Sequence, residues 1–209
     1  MELTPAHMRL YLVTDRSLCE RYGLINTVTA AVKGGVTMVQ LRDKHASTKE
    51  RIDQAIAIKT VLQGSGVPFV INDDLEAALA ADVDGVHIGQ SDGDPTAVRS
   101  QLGPDKILGL SCESEADVLA ADPKVVDYLG IGTVFATGTK TDHKPAIGVN
   151  GLARIAALTH LPTVAIGGLK AEHTEAVLSA DADGLAVVSA ICGQDNPEIA
   201  ARAFFGDAK

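Results

Sequence analysis

The chain has no tryptophan, and aromatic residues fill 3% of its 209 positions. Bases of a single-stranded nucleic acid stack on aromatic rings, so few platforms exist for them. Positive charge is also in deficit: 18 Lys and Arg stand against 27 Asp and Glu, a net charge of −9. That balance argues against general attraction to nucleic acid or to an anionic membrane. Cysteine is scarce. Cys19, Cys112 and Cys192 are widely spaced, odd in number and form no C-x-x-C, which argues against a disulfide framework or a zinc knuckle and predicts free thiols. No run approaches the roughly 18–20 apolar residues of a membrane span, and the N-terminus MELTPAHMRL lacks the apolar core of a secretion signal. A soluble, cytoplasmic protein is expected. No G-x-G-x-x-G follows the first apolar run and no G-x-x-x-x-G-K-[ST] occurs, so the nucleotide-fold fingerprints are absent. Nor does a linker or low-complexity segment interrupt the chain, and one domain over residues 1–209 is expected.

What is present is a regular beat. Short runs rich in Val and Ile, at Arg9–Thr14, Met38–Leu41, Phe69–Asn72, Gly85–Ile88, Ile107–Ser111, Tyr128–Ile131, Thr163–Ile166 and Gly184–Val188, read as strands. Helical patterns fall between them, near Ile25–Lys33, Thr48–Gln63, Leu75–Ala81, Thr96–Leu102, Glu113–Ala121, Gly148–Leu158, Ala171–Ser179 and Pro197–Ala203. The second of these carries a stripe through Ile52, Ala55, Ile56, Ile58 and Leu62. Strands apolar on both faces and separated by helices predict a parallel sheet covered on both sides, and the number of units predicts a (β/α)₈ TIM barrel, with a doubly wound open sheet as the alternative. The echoes GGVTMVQ, ADVDGVHIG and ADADGLAVV repeat one junction, in which a helix ends on small residues, Gly admits the turn, and a strand starts.

In such barrels chemistry sits at the C-terminal ends of the strands. Strand two runs into Gln40-Leu41-Arg42-Asp43-Lys44, strand three into Asn72-Asp73-Asp74, strand four into Gly89-Gln90-Ser91-Asp92, and strand five ends at Ser111. Asp73 and Asp92 follow neighbouring strands, about 4.8 Å apart in a parallel sheet, so their carboxylates can converge on Mg²⁺, which takes one or two carboxylates plus water and phosphate oxygens. The competing reading makes Asp73 or Asp74 a helix cap and Asp92 a turn residue. Arg42, Lys44 and Lys140 place three cations around the same mouth of an acidic protein, a familiar solution for a diphosphate. Lys140 belongs to the Gly- and Thr-rich segment Gly130–Asp142, a candidate anion grip. Gly167-Gly168 and Val188-Ser189 fall where barrels commonly hold a phosphate on backbone N–H groups. His87, inside a strand, reads as structural, Cys19 and Cys192 as packing residues. His143 and Cys112 have no visible partner at nucleophile or metal-ligand spacing.

Eight segments in order, YLVTD (Tyr11–Asp15), VQLRDK (Val39–Lys44), INDD (Ile71–Asp74), GVHIGQSD (Gly85–Asp92), GLS (Gly109–Ser111), TGTKTD, AIGGL (Ala165–Leu169) and AVVSAI (Ala186–Ile191), resemble the thiamine phosphate synthase family. The resemblance implies a (β/α)₈ barrel joining a hydroxymethylpyrimidine diphosphate to a thiazole phosphate, with release of pyrophosphate. It places Gln40, Arg42, Lys44, Asn72, Ser111, Lys140 and Gly168 at the pyrimidine diphosphate, with Lys140, Arg42 and Ser111 as the catalytic set. It makes Asp73 and Asp92 the Mg²⁺ ligands, and it puts Thr137, Thr139, Val188 and Ser189 at the thiazole phosphate. The implied route breaks the C–O bond early and needs little acid–base chemistry. The family's loop usually reads GPVFPT; Thr133 and Ala136 stand here in place of two prolines, which predicts a less restrained loop. Rival readings are a thiazole tautomerase, with His143 or Cys112 as proton shuttle and no metal, and a non-catalytic phosphometabolite-binding regulator. Oligomeric state, a homo-oligomer included, is left open.

Overall fold

The computed structural model describes residues 3–138 and 145–206. Thr139, Lys140 and His143 lie outside the described residues. Eight strands, β1 (Leu10–Val13), β2 (Met38–Leu41), β3 (Phe69–Asn72), β4 (Gly85–Ile88), β5 (Ile107–Cys112), β6 (Tyr128–Gly132), β7 (Thr163–Ile166) and β8 (Gly184–Val187), pair in sequence order. Every neighbouring pair is parallel, and β8 pairs back onto β1, closing a (β/α)₈ barrel. The sheet therefore has no edge, and the open-sheet alternative is overturned. The strands lie within a residue or so of where the apolar runs place them.

Helices α1 (Pro5–Met8), α2 (Arg16–Cys19), α3 (Leu24–Lys33), α4 (Thr48–Leu62), α5 (Leu75–Ala80), α6 (Pro95–Leu102), α7 (Glu115–Ala120), α8 (Gly148–Ala156), α9 (Thr174–Leu178) and α10 (Pro197–Arg202) surround it. The first two, at four residues each, are absent from the sequence reading because one turn is too short to show a 3.6-residue period. The segment read as a helix from Ala171 begins as a 3₁₀ turn, Ala171–His173. On α4, Ala55, Ile58 and Leu62 are buried, whereas Ile56, counted in the apolar stripe, is 50% exposed. Its 3.6-residue position turns it away from the seam that the other three form.

Alternation along each strand divides the core in two. Leu10, Leu12, Val39, Leu41, Ile71 and Val86 point outward and pack under the helices, while Tyr11, Met38, Val70, Ile107, Tyr128 and Val164 point inward and fill the barrel. Tyr11 and Tyr128 are the largest fully buried side chains of the protein. Gly109 makes room for the second: a Cβ there would lie 2.2 Å from Tyr128 Cζ and 2.4 Å from its hydroxyl. Gly109→Ala is expected to cost about 1–3 kcal/mol through overpacking and to lower Tm by about 3–10 °C; an unchanged thermal melt would show that the ring relocates freely.

The echoed junction has a structural explanation. Leu10 N–H donates to Thr37 Oγ1 at 2.9 Å, Phe69 N–H to Asp84 Oδ2 at 2.8 Å, and Thr163 N–H to Asp183 Oδ2 at 2.7 Å. In each case the residue before a strand satisfies the first amide of the strand preceding it, and Asp127, before β6, likewise accepts from the second amide of β5, Leu108 N–H, at 2.7 Å. The left-handed residue in the three echoed turns is Gly35, Asp82 and Asp181 respectively, so in two of them Asp, rather than the expected Gly, takes the positive φ. Asp tolerates that region better than most residues. The thiols of Cys19 and Cys192 meet at 3.4 Å in the outer core.

Candidate active site

Because helices follow strands, their N-termini gather at the same end of the barrel as the strand C-termini. The caps there are local: Asp15, Ser47, Asp74, Asp94, Ser114 and Asn196 each accept a hydrogen bond from an amide in the first turn. Inside this ring of helix starts lies a cavity of about 520 Å³. The strand alternation that buries Met38, Val70 and Ile107 sends Gln40, Asn72, His87 and Ser111 inward nearer the strand ends, into the cavity wall. Sequence-predicted Gln40, Arg42, Lys44, Asn72, Asp73, Asp92, Ser111, Thr137, Gly168, Val188 and Ser189 all line this one cavity. Thr139 and Lys140 lie outside the described residues.

Arg42 is held by the first motif of the chain. Its backbone N–H donates to Thr14 Oγ1 at 3.0 Å, and its guanidinium lies 4.0 Å from Asp15, which also caps α2. Asp43, next along, is structural: buried, it accepts from the amides of His45 and Ala46 and from Gln54, and it faces Arg16. Burial works against its charged form, but those donors outweigh burial and lower its pKa.

The acids at the ends of β3 and β4 divide their labour. Asp74 caps α5 through Ala77 N–H at 2.9 Å and pairs with Arg51 at 2.7 Å. Asp73 caps nothing. Its backbone sits at φ 64, in the left-handed region, and its carboxyl meets that of Asp92 within hydrogen-bonding reach. A non-glycine residue in that conformation often marks a functional site. The protein packed around this carboxyl, and after it the charge of Asp92, push its pKa to about 6, although the residue keeps open area toward the cavity mouth. Asp92 is fixed in turn by Gly89 N–H, which donates to its Oδ2 at 2.7 Å. Among the described residues no group of three His, Cys, Asp or Glu side chains could hold a metal. Two carboxylates facing each other, open to a polar cavity, suit a hydrated Mg²⁺ sharing its shell with a phosphate rather than an all-protein cage.

Across the mouth the donors are backbone. The N–H groups of Gly167, Gly168, Val188 and Ser189 make no hydrogen bond within the described chain. Four such donors at adjacent strand ends can hold an anion. Gly168, at φ 64, also lets the loop after β6 lie close: a Cβ there would come within 2.7 Å of the carbonyl oxygens of Phe135 and Ala136. That loop lacks two prolines, yet its described part is tied down. Val134 and Phe135 donate to Ile166 and Gly167, the Thr133 and Val134 carbonyls accept from Ile147 and Gly148, and Phe135 stacks on His173 at 4.3 Å. The N–H groups of Thr133 and Ala136 enter no backbone hydrogen bond, so a proline at either position would sacrifice none.

Sequence reasoning missed two residues of the cavity wall, Tyr11 and His87, and the buried Tyr128 that joins them. Tyr11, Tyr128 and His87 form a hydrogen-bonded group that reaches Gln40 on one side and Ser111 on the other. The available signal was parity: Tyr11 shares its inward face with Val13, Tyr128 with Gly130, and His87 stands in register with Asn72. Cys112 is buried, and burial pushes its thiol up to about 12.

The layout can be set beside known proteins. Thiamine-phosphate synthase of Xanthobacter autotrophicus is 52% identical over 199 residues, covering 95% of this chain and 94% of that protein. The enzyme of the same name from Vibrio parahaemolyticus is 49% identical over 193 residues, covering 92% and 94%. The solved thiamine phosphate pyrophosphorylase of Pyrococcus furiosus is 32% identical and matches with a TM-score of 0.87 over 96% of this chain and 95% of that one. A family model described as thiamine monophosphate synthase matches residues 10–191, a span that opens on the first residue of β1, passes β8 and takes in every residue assigned to the mouth; this chain belongs to that family.

Proposed function

We propose that the protein is a thiamine phosphate synthase, condensing 4-amino-2-methyl-5-(diphosphomethyl)pyrimidine with a thiazole phosphate to give thiamine phosphate and pyrophosphate. The observation that carries this reading is the Asp73–Asp92 pair beside Arg42 and Lys44 on one wall, with the unused N–H groups of Gly167, Gly168, Val188 and Ser189 across from them. One wall suits a diphosphate and the other a monophosphate. Asp73 and Asp92 would hold Mg²⁺, whose chemistry when bound is to neutralise charge gathering on the diphosphate oxygens. Arg42 grips the same group with its planar fork, Lys44 and Lys140 add ammonium charge, and Asn72 orients it. The C–O bond between the pyrimidine methylene and the diphosphate breaks with its electron pair leaving on oxygen. The thiazole nitrogen then donates its lone pair to that carbon, so the balance requires no proton transfer. A site rich in cations and hydroxyls matches that demand.

The tautomerase reading needs a side chain that releases and recovers a proton near neutrality. Of the two shuttles named for it, Cys112 holds its proton too tightly, and His143 lies outside the described residues. Both substrates are phosphorylated anions that do not cross a bilayer unaided, which supports a cytoplasmic site of action. Purified protein given both substrates should release pyrophosphate and form thiamine phosphate in equal amounts with Mg²⁺, and neither with excess chelator. Folded protein silent in every tube overturns the reading.

The raised pKa of Asp73 sets a pH dependence. Metal ligands must be deprotonated, so Mg²⁺ affinity should strengthen from about pH 5 to about pH 7 and then level off, with proton release on binding near pH 6. In the metal-free protein the sign for stability is opposite. A carboxyl whose folded pKa is raised binds more protons folded than unfolded, so stability falls as pH rises from the ordinary Asp range to about 6. Calorimetry in buffers of different ionisation enthalpy checks the first statement; an affinity flat across that window would separate Asp73 from the metal.

A further inference from the structure

Cys19 and Cys192, free and buried, take no part in the proposed reaction, yet the fold sets them in contact across the seam that closes the barrel. Cys19 ends α2, the single helical turn after β1, and Cys192 lies in the loop after β8, the strand that pairs with β1. Their sulfurs are 3.4 Å apart, although 173 positions of chain separate them. Each segment is fixed locally. Cys19 N–H donates to the Asp15 carbonyl at 2.9 Å, and Cys192 N–H to the Val188 carbonyl at 2.8 Å. Gly193, at φ 80, turns the chain directly after Cys192 and brings it against α2, where a Cβ would lie 3.4 Å from Leu18 Cδ2.

A cysteine buried among apolar neighbours is inert packing. A second thiol at contact distance changes its chemistry. By donating to a Cys19 thiolate, Cys192 lowers the Cys19 pKa against the opposing effect of burial, whereas the same contact, and then burial, makes Cys192 hold its proton. The pair thus divides into an attacking sulfur and a resolving one, as disulfide formation requires. A disulfide bond is about 2.05 Å long, so the sulfurs need approach by about 1.4 Å more. A reagent reaches them over α2. That helix is one turn long, and Arg16, Ser17, Glu20, Arg21 and Tyr22 around Cys19 are exposed, so a local opening suffices to admit a molecule as small as hydrogen peroxide. The ion pair Arg21–Asp195 spans the same two segments at the surface, where water leaves it little strength to resist that opening.

We infer that Cys19 and Cys192 form a reversible disulfide that staples the β8–β1 seam when the protein meets a peroxide. The Cys19 thiolate attacks one peroxide oxygen, the O–O bond breaks, and the departing hydroxide collects the proton that Cys19 gave up, leaving Cys19 as a sulfenic acid. The Cys192 sulfur then attacks the Cys19 sulfur, the S–O bond breaks, and the hydroxide leaves as water with the Cys192 proton. Two thiols have lost two hydrogens and two electrons, and one hydrogen peroxide has become two waters. A dithiol reductant reopens the bond by exchange. Because the bond joins residues near opposite ends of the chain, it restricts almost the whole unfolded chain and stabilises the barrel.

Peptide mapping and a thermal melt decide it. Reduced, folded protein treated with excess hydrogen peroxide, then quenched in acid and alkylated, should yield the Cys19–Cys192 cross-linked peptide in most molecules. Cys112, equally buried and with its pKa pushed up to about 12, is the internal control and should stay a free thiol. The cross-linked protein should melt about 4–16 °C above the reduced protein, and dithiothreitol should erase the difference. Cys192→Ser should abolish both the cross-link and the shift; Cys19→Ser serves if that variant does not fold. Thiols at both positions still free after treatment, or a cross-link that forms only in denaturant, overturns the couple. So does Cys112 reacting as fast as the pair, since global unfolding would then be the route. A cross-linked protein with an unchanged melt overturns the staple.

Discussion

Asp92→Asn lowers the rate of thiamine phosphate formation by about 10²–10³-fold, the usual effect of removing one electrostatic partner of a developing charge. The change is close to isosteric. Asn retains an oxygen able to accept from Gly89 N–H, the 2.7 Å bond that holds this turn. The fit is tight, since a Cβ on Gly89 would lie 2.7 Å from Asp92 Oδ2, and a side chain of the same shape keeps it. What disappears is one negative charge. More Mg²⁺ should then be needed for half-maximal rate, and thermal stability should change little. Asp73 supplies an independent readout: burial still holds its pKa up, but with the charge of Asp92 gone it should titrate below its present value of about 6. Carboxyl NMR and a Mg²⁺ titration of the rate measure both effects. A variant with wild-type turnover and wild-type metal dependence would show that the pair does not bind the cation.

Lys140→Ala is expected to cost about the same, 10²–10³-fold in turnover. Lys140 lies outside the described residues; its expected role follows from its place in the Gly- and Thr-rich segment and from what its neighbours do. Thr137, three residues before it, lines the cavity, and the loop that carries it onward from β6 is pinned to β7 at Ile166 and Gly167. The segment therefore starts at the rim, on the side of the cavity where β6 ends. An ammonium reaching in from there would balance charge on the departing diphosphate in the transition state more than in the bound substrate, so kcat should fall further than KM rises. Steady-state kinetics with the pyrimidine diphosphate varied at saturating thiazole phosphate separates the two, and a loss below about threefold would withdraw the role.

Legibility differed from one part of the site to another for identifiable reasons. The Asp73–Asp92 pairing followed from two acids at the ends of consecutive strands, and parallel neighbours must bring such residues together. Asp74, equally acidic and one position along, proved to be the cap, a distinction that NDD alone does not make: it depends on Asp73 taking a positive φ and turning its carboxyl toward β4. Asp43 sits inside the VQLRDK motif between two cavity cations, yet its donors are the backbone and Gln54, so it braces the loop. His87 read as structural because a lone histidine in an apolar strand usually is. It does join buried partners, and it also lines the cavity.

By itself the sequence determined the strands, most of the helices, the barrel class and the list of polar residues at the strand ends. These follow from short-range causes: alternation along a strand, a cap within one turn, and a turn residue that tolerates its φ. Only the tertiary structure decided which of those residues act on each other. Tyr11 and Tyr128 are 117 positions apart and meet because β1 and β6 face each other across a closed barrel. His87 reaches Ser111 because the β4–β5 register sets His87 beside Gly109, one inward step below the serine. Closure and register are properties of the whole sheet, set by eight strands at once, and no local stretch of chain encodes them.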